Sequence, residues 1–354
     1  MTKPWIFMGG DRSHFTGKLR PAVRYKQIHT TERPPDGTEI MRRTGIMFVP
    51  VLITPADETL QDTTMIIDAL EERVPDPPLL PTHPLDLALC RLFELYGDEF
   101  FLMVDMRTRW GYPDNDVRQG FSAFAGSVER GDAIADRMSG YLPQLGITDA
   151  TIPAIDAHFA DMLAALKAHF AEHRFLLGDR LSLADCALMG GFYGHLYMDR
   201  VTRKMLYDDA MEVCFWIERC NRPVPEEMGE WFDGDYPPTL TRVLELIGMD
   251  AGPMLAALGS AFDTWARTNA VPGMEPERYV GEYRTTLRGV DVTAGIRSFV
   301  AWKLQRLRET AHGEAADAIR AAFATWGCQG LLSSGAVELA KKDYRLIVAN
   351  PSTP

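Results

Sequence analysis

The sequence has little of several features that would each assign a class of protein. Charged residues interrupt its longest apolar tract, which lies between Leu85 and Met106, so no membrane span is indicated. Lysine and arginine number only 37 against 49 aspartates and glutamates, and the formal charge of -12 repels nucleic acid and anionic lipid. There is no internal repeat and no low-complexity segment. We therefore expect no nucleic-acid partner and no association with a membrane.

Cysteine is also scarce. The five cysteines are odd in number, and no two of them form a CxxC pair. A disulfide framework and a zinc ribbon are therefore not indicated, and no metal site is expected. Nor does the first segment have the pattern of a secretory signal. We expect reduced thiols, mostly in the core, in a cytoplasmic protein.

What the sequence does contain is 46% hydrophobic residues over 354 positions, enough for two or three domains. Residues 1–80 mix short β-like runs with helical patterns, and the proline-rich stretch "VPDPPLLPTHP" then breaks the chain. Residues 84–220 are almost entirely helical in pattern. Residues 221–354 carry further helical patterns, one of them over 293–310, and one β-like piece near "YRTTLRGVDV". The prediction is an α/β domain, an all-α domain and a mostly helical extension of unassigned role.

Two segments of the first region suit an anionic or zwitterionic ligand. In "SHFTGKLR", Ser13 and Thr16 stand close to the cation of Lys18, directly after an apolar run. Asp62 and Thr63 open a helical pattern, where free amides hold a carboxylate and Asp62 pairs with an ammonium group. A solvated connection and an ordinary helix cap account for the same residues, so both interpretations stay open.

Two prolines set limits on this region. Pro50 interrupts the apolar run "FVPVL", so it marks an edge or a turn and leaves the backbone of Val49 free to pair with an extended peptide. If the Val49–Pro50 bond is cis, that pairing surface is fixed. Pro21 fits a helix that is capped at Lys18, because the proline then falls in the first turn.

In their order along the chain, these segments resemble the glutathione S-transferase family. The matching pieces are "SHFTGKLR", "FVPVL" and "QDTTMIIDALEE", followed by the proline-rich linker and the helical region. The helical region adds "FLLGDRLSLADCAL", in which Ser182 and Asp185 are spaced as a capping box. The resemblance covers roughly residues 5–215 and leaves out residues 221–354.

The resemblance implies a thioredoxin-like domain that binds glutathione as a cosubstrate, followed by an all-helical domain. The cysteinyl backbone would pair with Val49 before a cis-Pro50, and the γ-glutamyl end would lie on Asp62 and Thr63. Lys18 would contribute to the same ligand site. A hydroxyl, of either Ser13 or Thr16, would donate to the thiol and lower its pKa.

A second pocket for a small-molecule electrophile is expected between the domains. The segment "MVDMRTRWGYPDN" offers Arg109, Trp110 and Tyr112 for it, although the same residues also suit a helix end that packs on the core. The resemblance implies a glutathione transferase and allows a homodimer. A non-catalytic interaction module of the same fold and a glutathione-dependent isomerase or etherase remain alternatives. The extension would either deepen the second pocket or block the dimer contact.

Overall fold

The first region folds around a mixed sheet of four strands in the order β2-β1-β3-β4. The protein is described by a computed structural model that covers residues 3–349. The strands are β1 (Trp5–Met8), β2 (Thr30–Arg33), β3 (Val51–Ile53) and β4 (Thr59–Gln61). β1 and β2 are parallel, whereas β3 is antiparallel to both β1 and β4. The helices of this region are α1 (His14–Tyr25), α2 (Gly37–Thr44) and α3 (Thr63–Arg73). The predicted thioredoxin-like α/β fold is confirmed.

Helix α1 begins earlier than the sequence predicts. Ser13 is its N-cap and accepts a hydrogen bond from the amide of Thr16 at 3.3 Å, so the expected cap at Lys18 is wrong. Pro21 lies inside the helix. One turn earlier the helix packs tightly against the helical region, since a Cβ on Gly17 would approach the carbonyl oxygen of Met189 to 2.8 Å.

The second region is all helical, as predicted. Its helices are α4 (Pro84–Leu95), α5 (Phe101–Gly111), α6 (Val117–Ala125), α7 (Val128–Ser139), α8 (Ile152–Glu172), α9 (Leu183–Gly191), α10 (Arg200–Asp209) and α11 (Met211–Asn221). A π-helical turn, Tyr96–Phe100, joins α4 to α5, and a second one, Phe192–Tyr197, follows α9. The predicted capping box is present at the start of α9, where the amide of Ser182 donates to Asp185 Oδ2 at 3.0 Å.

The extension contains more β-structure than the sequence indicates. Its helices are α12 (Pro238–Leu246), α13 (Gly252–Asn269), α14 (Ser298–Arg308) and α15 (Ala316–Thr325). A hairpin of β5 (Tyr279–Leu287) and β6 (Val290–Arg297) covers the β-like piece. Because β6 runs to Arg297, the helix predicted over 293–310 starts only at Ser298. A second hairpin, β7 (Leu339–Lys342) with β8 (Arg345–Val348), was not predicted.

One large hydrophobic core runs through all three regions, from Phe7 in β1 to Val348 in β8. A small second cluster, Met8, Ile40, Val51 and Ile53, lies in the first region. The helical run Pro238–Asn269 is long and apolar enough to cross a membrane, with a mean hydropathy of 1.2, but 67% of its apolar window is buried inside the protein. Its apolar residues therefore serve the core.

Candidate functional site

Three connections of the first region meet at one end of its sheet. Val51 is paired with Met8 of β1 on one side and with Gln61 of β4 on the other, and both pairings are antiparallel. The residues that follow β1, precede β3 and follow β4 therefore lie side by side. These connections, with the first residue of α3, carry half of the predicted site residues, namely Ser13, Val49, Pro50, Asp62 and Thr63.

The connection before β3 has the predicted form. The Val49–Pro50 peptide bond is cis, Pro50 is buried and Val49 is half-buried. The side-chain amide of Gln61 donates to the carbonyl oxygens of Ile46 at 3.2 Å and Phe48 at 2.9 Å. These two bonds hold the loop that leads into Val49 against β4.

At the start of α3, Asp62 is the N-cap. Its Oδ1 accepts from the amides of Thr64 at 3.0 Å and Met65 at 3.4 Å, and its backbone adopts a φ of 76°. Thr63, the first residue of the helix, is only 5% exposed. The predicted helix cap is therefore confirmed, and it uses only one of the two carboxylate oxygens of Asp62.

That second oxygen is already paired within the chain. Asp62 Oδ2 lies 2.8 Å from Nζ of Lys341, in strand β7 of the extension. Burial alone would raise the pKa of Asp62, but the ammonium groups of Lys341 and Lys303 lower it below its ordinary value. Asp62 is thus an ionised carboxylate at neutral pH, and it faces an ammonium group.

The two candidate hydroxyls occupy different environments. Ser13 is half-buried at the N-terminus of α1, and within residues 3–349 its hydroxyl donates no hydrogen bond. Thr16 is fully buried, and its Oγ1 accepts from the amide of Gly10 at 3.3 Å. A Cβ added to Gly9 would lie 2.5 Å from the Thr16 methyl carbon, so the loop closes directly over Thr16. Of these two residues, Ser13 is the one whose hydroxyl is partly accessible and donates no hydrogen bond among the described residues.

Lys18, predicted to bind the ligand, lies elsewhere. It is fully buried, and its Nζ contacts Glu94 Oε1 at 2.8 Å and Asp98 Oδ2 at 2.6 Å. Lys303 of α14 joins them, with its Nζ 2.5 Å from Asp98. Lys18 therefore belongs to a buried charge cluster between the regions, and the geometry does not support its interpretation as a ligand contact.

The three residues predicted for the second pocket contact different partners. Arg109 is only 4% exposed and donates to Asp199 Oδ2 at 2.8 Å. Trp110 stacks on Phe121 of α6, with 6.3 Å between ring centroids. Tyr112 follows the last residue of α5, and the guanidinium of Arg107 lies over its ring at 5.5 Å from the centroid. They do not form one cationic and aromatic surface, because Arg109 faces the interior.

A buried group that the sequence did not reveal lies beneath the start of α1. His14 Nδ1 is 2.7 Å from Asp105 Oδ2, and His195 Nδ1 is 3.2 Å from Asp105 Oδ1. Burial would raise the pKa of Asp105, but the facing imidazoles of His195 and His14 lower it to about 2. Burial and the nearby Arg109 lower the pKa of His195. The sequence feature that could have indicated this group is Asp105 itself, an aspartate within an otherwise largely apolar helical pattern.

The helical region matches a known protein family. Residues 149–190 match the family described as "Glutathione S-transferase, C-terminal domain". No curated protein sequence is significantly similar to the chain. The resemblance predicted from the motifs is confirmed by the family match, which lies around the capping box of α9.

Several solved structures are similar to about two thirds of the chain. The β-etherase LigF from Sphingobium is 18% identical, with 64% of this chain and 98% of that chain covered and a TM-score of 0.46. A glutathione S-transferase from Rhodospirillum rubrum is 18% identical, with 66% and 96% covered and a TM-score of 0.43. A glutathione S-transferase from Methylobacterium radiotolerans, in complex with glutathione sulfonate, is 17% identical, with 66% and 100% covered and a TM-score of 0.39.

Proposed function

We propose that this chain, which has a thioredoxin-like domain followed by a glutathione S-transferase C-terminal domain, binds glutathione and directs its thiol at a small electrophile. The observation that carries the proposal is the position of Asp62. Its carboxylate sits at the N-terminus of α3, at the same end of the sheet as the cis Val49–Pro50 bond. A charged acceptor, the amide of Thr63 and the half-buried backbone of Val49 thus lie side by side.

Each of these groups suits one part of the tripeptide. Asp62 would pair with the γ-glutamyl ammonium, and the amide and hydroxyl of Thr63 would hold the adjacent carboxylate. The backbone of Val49 would pair with the cysteinyl residue as an added strand does. This orientation directs the cysteinyl thiol toward the start of α1.

Ser13 would then assist the chemistry. The free amides and positive end of a helix stabilise a thiolate, and a donated hydroxyl proton lowers the thiol pKa further. In the reaction, the thiol proton passes to solvent and a carbon–sulfur bond forms at the electrophile. The leaving group departs with the electron pair of its broken bond. An etherase differs only in that the leaving group is an alkoxide or phenoxide.

A second candidate is a non-catalytic module of the same fold. The contact between Lys341 and Asp62 favours it, because the chain already supplies an ammonium group to the carboxylate. In that case Asp62 serves only to attach the extension to the first region. Binding of glutathione separates the two candidates.

The first prediction concerns Asp62→Asn, which keeps a good helix cap but removes the charge. Calorimetry should give a glutathione Kd between about 1 μM and 1 mM for the unmodified chain. The variant should bind at least about tenfold more weakly, because a charged hydrogen bond contributes about 1.5–3 kcal/mol.

Asp57→Asn is the matched control, since Asp57 is an exposed carboxylate on the β3–β4 connection that pairs with Arg43. Its affinity should be unchanged. The absence of glutathione binding, or equal affinities for all three proteins, would contradict the proposed site.

A further inference from the structure

We propose that the β7–β8 hairpin is an internal competitor of the ligand: the ammonium of Lys341 occupies the position at Asp62 that the ammonium of glutathione must take. This inference rests on the proposed function and adds a mode of regulation to the same site. It predicts that glutathione binds only when Lys341 withdraws.

The ammonium of Lys341 is enclosed as a bound ligand would be. Its Nζ lies 2.8 Å from Asp62 Oδ2, 4.2 Å from the ring centroid of Phe299 and 5.2 Å from that of Trp302. The side chain is only 7% exposed. A carboxylate with two aromatic faces is a general receptor for an ammonium group, whichever molecule supplies it.

Few polar contacts hold the hairpin to the first region. Besides the Lys341–Asp62 pair, the hydroxyl of Tyr344 donates to the carbonyl oxygen of Thr59 at 3.1 Å. The sheet consists of β7 and β8 alone, and such a hairpin has little stability of its own. The side of the hairpin that faces Asp62 can therefore open at less cost than global unfolding.

The other side of the hairpin is attached more firmly. The amide and the carbonyl of Leu339 both bond to the side chain of Gln305 in α14, at 2.8 and 3.1 Å. Leu339, Leu346 and Val348 are buried in the main core. Withdrawal of Lys341 alone therefore leaves the hairpin anchored to α14, so the competitor remains near the site.

When glutathione displaces Lys341, the charge beside Asp62 does not change, because one ammonium group replaces another. The apparent affinity for glutathione is reduced by the fraction of molecules in which Lys341 has withdrawn. A ligand without an ammonium group gains nothing from that withdrawal, since it would leave Asp62 unpaired. The competition is therefore specific for ammonium-bearing ligands.

The test compares glutathione with glutaryl-cysteinyl-glycine, which lacks only the amino group. Calorimetry is run on the full chain, on Lys341→Met, which keeps the length of the side chain, and on Lys342→Met, an exposed lysine of the same strand. Lys341→Met should bind glutathione about tenfold more tightly, as for a site that is open about a tenth of the time. Its affinity for the analogue should not rise, and Lys342→Met should match the unmodified chain.

A second measurement does not depend on a variant. Hydrogen exchange of the β7–β8 amides in the unmodified chain should accelerate with glutathione and stay unchanged with the analogue. Lys341→Gln serves as a second substitution if Lys341→Met does not fold, and the same gain is expected from it.

The outcomes separate this inference from the proposed function. If glutathione binds, Asp62→Asn weakens it and Lys341→Met has no effect, the site stands and the competitor is refuted. Equal gains for glutathione and the analogue would also refute it, because the hairpin would then block by its volume alone. If neither the unmodified chain nor Lys341→Met binds glutathione, both proposals are wrong.

Discussion

At the scale of single residues, the two hydroxyls that the sequence could not separate are separated by burial. Thr16 lies beneath the Gly9–Gly10 loop and already accepts a backbone hydrogen bond. Ser13 is half-buried at the helix N-terminus, with its proton undonated among the described residues. The structure therefore favours Ser13 as the residue that would act on a bound thiol.

The prediction at this scale is that Ser13→Ala raises the pKa of bound glutathione, because the thiolate loses a hydrogen bond. Ultraviolet absorbance of the thiolate, measured against pH, reports this value. The substitution also removes a helix cap, at about 1 kcal/mol of stability.

Ser127→Ala is the matched control, since Ser127 caps α7 with an equivalent bond to the amide of Arg130 at 3.2 Å. It should cost similar stability and leave the thiol pKa unchanged. An unchanged thiol pKa in Ser13→Ala would remove Ser13 from the proposed chemistry.

The residues whose positions were predicted correctly are those with local partners. Asp62 caps α3 through amides two and three positions away, and the pattern of the following helix reveals it. Lys18 pairs with Glu94, 76 positions away, and Arg109 with Asp199, 90 positions away. Sequence patterns carry no information on such pairs, so both cations were interpreted as ligand contacts.

At the scale of elements, Asp105 ties three of them together: α5, the start of α1 at His14, and the π-helical turn that contains His195. A carboxylate whose pKa is lowered by folding stabilises the native state only while it is ionised. The same sign applies to His195, because its lowered pKa favours the neutral form in the folded protein. Protonation of either Asp105 or His195 in acid therefore destabilises the contact between these three elements.

We accordingly predict a loss of stability that begins below about pH 6.5, the ordinary histidine value, as His195 is protonated. The loss continues from about pH 3.9, the ordinary aspartate value, to the folded-state pKa of about 2 of Asp105. Asp105 should account for about 2–3 kcal/mol of that loss. Urea unfolding at a series of pH values measures it. Asp105→Asn should be less stable at pH 7 and show a flatter profile in acid.

Asp132→Asn is the control for this prediction. Asp132 is an exposed carboxylate, with 45% of its side chain accessible, and it pairs with Arg118 at the surface. Its stability profile should follow that of the unmodified chain. A profile for Asp105→Asn as steep as the unmodified one would show that the junction does not titrate as described.

At the scale of the whole molecule, the extension is an integral part of the fold. Its helix α14 packs on α4, and Lys303 places its ammonium among Thr64, Glu94 and Asp98, where Lys18 also points. All three regions thus contribute to one buried charge cluster. The sequence predicted only a helical pattern over residues 293–310. Nothing in this pattern distinguished the buried Lys303 from the partly exposed Arg306 and Arg308.

We predict that Lys303→Met destabilises the chain by about 3–5 kcal/mol, because it removes a buried ammonium that pairs directly with the buried carboxylates of Asp98 and Glu94. Chemical denaturation measures the change. Lys167→Met is the control, since Lys167 is exposed and donates only to the carbonyl oxygen of Asp209. If both variants lose the same small amount, the cluster does not hold the regions together.

The composition of that cluster also has a consequence for synthesis on the ribosome. Lys303 follows its partner Asp98 by 205 positions, which corresponds to about 10–40 s of translation at about 5–20 residues per second. During that interval Glu94 and Asp98 have only Lys18 and Arg91 as counter-ions. The nascent first two regions therefore carry this cluster without its third cation, and Lys303 joins it only when α14 has been synthesised.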